Sequence, residues 1–370
     1  MKLNYSFPPY AKFAFILIII ISVIALLYLG QGVLSPLLLA MLFAILIEPI
    51  AAFLQARLRF PNTVATSVAV VLFIAVFFIL FYFISLQLVG MADDWGKIKS
   101  NLDTHYHNLQ QFVETKFGIT KGQQQQAISQ ATSESASTGK QLAGATLASI
   151  TDSLLNLVLI PIYMFLILLY KKHFVKFLRD LVRVENHEKL RDILATVKIS
   201  VRSYIVGLLI EMVIVSVLTA VGLSIIGIKY AILLGVITGL LNLIPYIGIV
   251  VAGLLTVVAS LTGDTDATII VGIIAVNVAV QFVDNNILVP RIVSSKVQIN
   301  ALISIVIVLL GGTLWGIPGM FLSIPFIAVL KIVFDRIEGL KPWGKLLGDT
   351  IPTEHMGQIK RFRRRKVAVL

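Results

Sequence analysis

The feature that most constrains this chain is its set of long apolar runs. No charged residue occurs from Phe13 to Leu29, and runs with at most one charge recur at 33–53, 63–89, 153–170, 203–227 and 268–289. A helix needs roughly 20 such residues to cross a hydrocarbon core about 30 Å thick. No water is available there to bond the peptide groups, so only helices and closed barrels can span. Apolarity here is continuous rather than alternating, which excludes a barrel. The expected fold class is therefore an all-α polytopic membrane protein, with its first span at 11–29.

Composition agrees, since 58% of the 370 residues are hydrophobic and 14% are charged, too little polar surface for a soluble globule. The first apolar run is not followed by an A-x-A-like cleavage site, so it reads as a span rather than a signal peptide. The absence of cysteine rules out disulfides, thiolate metal sites and thiol nucleophiles. A net charge of +12 would suit nucleic acid, but its distribution marks topology instead.

Cytoplasmic loops are enriched in Lys and Arg. Lys2 and Lys12 place the N-terminus inside, and Arg57 and Arg59 bring the second span back there. Residues 90–152 then lie outside: an amphipathic helix over 91–117, with Trp95, Ile98, Leu102, Leu109, Phe112 and Val113 on one face, is followed by a polar linker at 121–140. Span 153–170 returns to a basic segment, 171–202, whose Phe174, Phe177, Leu178 and Leu181 recur at helical spacing. That pattern predicts a cytoplasmic amphipathic helix at the membrane surface. The tail, 335–370, contains "KRFRRRK" and is cytoplasmic by the same rule.

Two stretches do not fit single spans. If 231–261 crossed once, the acids of "GDTD" at 263–266 would be inside and Arg291 and Lys296 outside, against the charge rule. As a helix its 31 residues would measure about 46 Å, too long for one crossing and too short for two. "LLNLIPYIG" at 240–248 supplies a turn, with Pro245 removing a donor and Gly248 permitting reversal. The stretch 299–334 is likewise interrupted by "GGTLWGIPG", where Gly311, Gly312, Gly316, Pro318 and Gly319 are the turn-makers. The expectation is about six full transmembrane helices plus two re-entrant helical hairpins, at 231–261 and 299–334. Eight full spans are the alternative. On the first reading 203–334 forms a transport core of two inverted units, and 1–89 forms a scaffold.

No H-E-x-x-H, G-x-S-x-G or Walker A pattern occurs, so no catalytic residue, metal site or cofactor is expected. His105 and His107 face different ways on a helix, which argues against a metal pair. The chemistry left is polarity inside the membrane, which marks a pathway by default. Asn277, Gln281 and Asp284 fall at i, i+4 and i+7 on one helical face, with Asn285 and Asn286 beyond. Asp284 should pair with a cation, Arg291 being the nearest in sequence, or take up a proton. Glu211 is a second acid within a span, and Asn242 and Tyr246 sit at the first proposed tip, as Trp315 does at the second.

At "LLNLIPYIG" (240–248), "VDNNILVPRIV" (283–293) and "LLGGTLWGIPGMFLSIPFIAVLK" (309–331) the chain resembles the autoinducer-2 exporter family of bacterial inner-membrane proteins. Ile249 stands where many members have proline, and "QINAL" near 300 lacks another. The resemblance implies a secondary transporter working without ATP in the bacterial inner membrane. It implies export of a small polar metabolite or signalling molecule such as autoinducer-2, or sodium/proton antiport. It also implies a homo-oligomer, a pentamer. A non-transporting membrane scaffold is the reading from another class, and no nucleic-acid partner is expected. Besides the bilayer, the partners expected are a small-molecule substrate and H+ or Na+.

Overall fold

The computed structural model describes residues 8–94, 158–244, 267–293 and 298–349, with scattered positions in 96–122 and 248–256. Among them all regular structure is helical. In order these are α1 (Pro9–Leu29), α2 (Gln31–Leu58) and α3 (Asn62–Asp93), then α4 (Val158–Leu181). A 3₁₀ turn, Val184–Asn186, leads into α5 (His187–Ile226), which is followed by α6 (Ala231–Asn242) and α7 (Ala267–Val283). The latter continues as a π-helix, Asp284–Val293, before α8 (Ala301–Arg336) and α9 (Lys341–Leu347).

Six of these helices are long and apolar enough to cross a membrane: α2, α3, α4, α5, α7 with its π extension, and α8. The apolar part of α1, Phe13–Leu29, and α6 are shorter. Large apolar side chains on α1 and α3, such as Ile16, Ile19, Phe77, Phe78 and Phe81, are exposed, which suits contact with lipid rather than water.

Three clusters hold the helices together. Ala40, Ala44, Ile47 and Ala51 of α2 meet Ala69 and Val70 of α3 and Met164 and Leu168 of α4. The alanines let the backbones approach closely, which replaces the hydrophobic driving force that is missing in lipid. Leu42 of α2, Tyr204, Ile205 and Leu208 of α5, and Leu322 of α8 form the second cluster. The third joins Leu223 of α5, Leu233 and Leu234 of α6, and Ile273 of α7. Helix α5 is thus the hub between the N-terminal helices and the rest.

The basic segment 171–202 differs from its sequence reading. It is not one separate surface helix: α4 runs on to Leu181 and α5 begins at His187, with the break between them. The Lys, Arg and Leu residues at both expected boundaries are good helix formers, so nothing stops either helix there. Within 91–117, the described positions 100, 101, 104, 107, 110, 111 and 114–116 are helical. The 121–140 linker lies outside the described residues apart from one position, and the tail beyond 349 lies wholly outside them.

Neither ambiguous stretch is one straight helix. Helix α6 ends at Asn242, and Gly248 lies so close to the Leu241–Asn242 backbone that a Cβ there would collide with it. Along a straight helix seven residues cover about 10 Å, so the chain bends back within this turn. Pro245 and Tyr246 lie outside the described residues. In α8, Ser323 Oγ donates to the Ile307 carbonyl at 2.9 Å, although sixteen residues of helix would separate them by about 24 Å. The reversal is at Trp315 (φ −136°, ψ 16°) and Gly316 (φ 61°, ψ −142°). Gly311 and Gly319 bring the two arms into backbone contact. The start of α8 also meets the end of α9: Asn300, whose side chain caps Ile303 N, donates to the carbonyls of Leu346 and Leu347.

A buried carboxylate pair as candidate functional site

Close packing of α5 and α6 sets the geometry of the site. The two helices are joined at Gly227, whose φ of +88° lies in the left-handed region that favours glycine. Gly235 then rests on Ser216 and Ala220, and Gly239 rests on Met212 and Ser216. These G-x-x-x-G glycines let α6 lie directly on α5, as small-residue pairs do in membranes. Continuing this antiparallel register by one turn brings Asn242 opposite Glu211. Helix α7 reaches the same place because Gly222 and Gly207 of α5 admit Val276 and the Ile292 backbone.

The result is a polar cluster at the junction of three helices. Asn242 Nδ2 donates to Glu211 Oε1 at 2.9 Å and to Asp284 Oδ2 at 3.4 Å. Both acids are buried, with Glu211 4% and Asp284 3% exposed. Beside them is a cavity of about 20 Å³ lined by Thr238, Asn242, Asn277, Gln281 and Asp284 with Val215 and Val280, room for one water-sized occupant. Glu211 Oε2, Asp284 Oδ1, Thr238 Oγ1, Gln281 Nε2 and Thr219 Oγ1 are buried without a hydrogen-bond partner. Each unpaired buried atom costs about 1–3 kcal/mol, so the gathering of those of Glu211, Asp284, Thr238 and Gln281 here fits a site that receives something polar. The cavity lining holds no Lys, Arg or His. What would balance two carboxylates there is a cation or a proton.

The structure therefore brings together five of the residues expected from sequence, Glu211, Asn242, Asn277, Gln281 and Asp284. Asn285 and Asn286 are exposed, and Asn286 Nδ2 donates to the Phe282 carbonyl instead. The change to π-helix begins at Asp284, the last residue of the stripe to reach the cluster. Arg291 is exposed and is not the partner of Asp284. Sequence reasoning missed Thr238, which lines the cavity. It lies one turn before Asn242, so following that helical face would have found it. At the α8 reversal, Trp315 Nε1 donates to the Leu27 carbonyl at 2.9 Å, tying that tip to the end of α1. Among the described residues no group of three His, Asp or Glu is placed to hold a metal.

A family model described as AI-2E family transporter matches residues 16–339. The chain belongs to the AI-2E transporter family. One relative, named "putative permease PerM" in Escherichia coli K12, is 26% identical over 329 residues, covering 86% of this chain and 91% of that protein. Two others, from Bacillus subtilis 168, are named putative transport proteins. YrrI is 34% identical over 134 residues, but the match spans 37% of its length. YueF is 29% identical over 192 residues and half of its length, 50%. Membership of this family makes the chain a multi-pass membrane protein of a transporter class, as its apolar helices require.

Proposed function

We propose that this AI-2E transporter is a secondary transporter in which the Glu211–Asn242–Asp284 cluster takes up a proton or small cation and couples it to export of a small polar metabolite. A signalling molecule of the autoinducer-2 kind is one such cargo. The observation that supports this reading is the pair of buried carboxylates sharing one amide donor beside a cavity of a single water's size. The three groups come from α5, α6 and α7, so balancing their charge changes what holds those helices together. Transport then follows by alternating access, with 203–334 moving in an elevator-like way against the N-terminal helices. In this reading 231–261 and 299–334 are re-entrant hairpins entering from opposite sides. The protein works as an oligomer, a pentamer by family resemblance, in the bacterial inner membrane with both termini cytoplasmic.

The small cavity also favours a second reading, sodium/proton antiport with the cation itself as cargo. Purified protein in liposomes loaded with a pH dye separates the two. Proton movement driven by a sodium gradient without organic solute supports antiport. Proton movement only when autoinducer-2 or a similar polar solute is present supports coupled export. If neither gradient moves protons, both readings fall.

A further inference from the structure

We propose that the basic end of the bundle holds a specific site for an anionic phospholipid, distinct from the carboxylate cluster. A cavity of about 870 Å³ opens there between α2, α4 and α5, within the roughly 300–1,000 Å³ of small-molecule sites. Its walls include the apolar side chains of Ile45, Leu168, Val175 and Leu194. Its rim is basic.

Two of the rim cations are already engaged, because Glu48 accepts from Lys171 at 3.1 Å and from Lys198 at 2.6 Å. Lys172, Arg179 and Arg191 also line the cavity and have no carboxylate within ion-pair reach among the described residues. Glu188 is the other acid on the rim, so cations remain in excess. The occupant must therefore be anionic at one end and apolar at the other. A soluble anion would leave the apolar walls uncovered, and a zwitterionic lipid would leave the three cations without net countercharge. Arginine forks suit phosphate oxygens, and lysine adds a point charge. The rim lies where α4 passes from its apolar part to its basic one, the level at which headgroups sit. Lys198 and Glu211 are 13 residues apart on α5, about 20 Å of helix, and the two cavities share no lining residue.

The test uses full-length protein in phosphatidylcholine micelles, titrated with phosphatidylglycerol and read by native mass spectrometry. Retention of phosphatidylglycerol over phosphatidylcholine is expected. It should weaken roughly fivefold for each of Lys172→Gln, Arg179→Gln and Arg191→Gln, and Lys172→Arg should keep it. Ala195→Trp, which fills the cleft without changing charge, should also abolish it. Arg57→Gln with Arg59→Gln, at the same end of α2, should leave it unchanged. Equal retention of both lipids, displacement of bound lipid by inorganic phosphate, or an equal loss in the Arg57/Arg59 variant would overturn the proposal. Should the glutamine variants fail to fold, the Ala195→Trp and lipid-preference arms still decide it.

Discussion

At the scale of single residues, the cluster around Asn242 makes the sharpest predictions. Asp284→Asn and Glu211→Gln each keep the shape of the site and remove a charge. Each should slow coupled transport at least tenfold, the size expected when one of two charge-handling groups is lost, while the protein still elutes as wild type. Asn242→Leu removes the one donor shared by both acids, leaving two buried oxygens unpaired at about 1–3 kcal/mol each. It should lower thermal stability more than either isosteric change, as a melting curve of the detergent-solubilised protein would show. A second residue-scale prediction concerns the turn between α5 and α6. Lys229 Nζ and Tyr230 Oη both donate to Asp94, tying the end of α3 to that turn. The bond to Asp94 holds the Lys229 ammonium above its ordinary range, and burial pushes the Tyr230 hydroxyl up. A raised lysine contributes stability below its unfolded value and loses it as pH climbs, and a raised tyrosine resists the ionisation that the unfolded chain permits. Both signs agree, so this tie should weaken only above about pH 10. Melting temperatures of wild type and Lys229→Met should differ at pH 7 and converge on that alkaline side.

Among the elements, the α8 reversal is the most specific. Gly316 has a φ of 61° with ψ of −142°, a region that is essentially glycine-only and costs about 1–3 kcal/mol elsewhere. Gly316→Ala should therefore destabilise the protein by that amount in a denaturation series. Gly312→Ala, whose Cβ would meet the flexible end of Met320, should cost much less. Helix spans were legible because a bilayer imposes length and apolarity on them, and α2, α3, α5 and α7 begin or end near the predicted points. The turn residues were legible too, since Gly311–Gly319 announces a reversal in its own composition. What the sequence hid was where the basic segment divides. Lys, Arg and Leu serve a helix equally well inside a bilayer edge and outside it, so α4 and α5 pass through the predicted boundaries unmarked. The α-to-π change at Asp284 was equally silent, as was the exposure of Asn285 and Asn286.

For the whole molecule, the pairing of Glu211 with Asp284 illustrates the limit of reading one helix at a time. Each acid was visible as an intramembrane charge, yet the sequence offered Arg291 as the partner because it is near in the chain. The actual neighbour, Asn242, comes from α6, brought there by Gly235 and Gly239; their G-x-x-x-G spacing announces a close approach, but nothing in α6 alone says which helix it meets. Topology can be checked on the same scale because the chain has no cysteine to mask. Thr265→Cys should label from outside and Ser295→Cys only from inside if 231–261 is a re-entrant hairpin, and the reverse pattern would restore single spans. The measurement that bears most directly on function is dye-reported proton flux in liposomes carrying wild type or Asp284→Asn under the same imposed gradient, with the driving cation or solute added. The buried-pair mechanism predicts rapid flux in wild type and at least tenfold slower flux in the variant, whereas equal rates would contradict it.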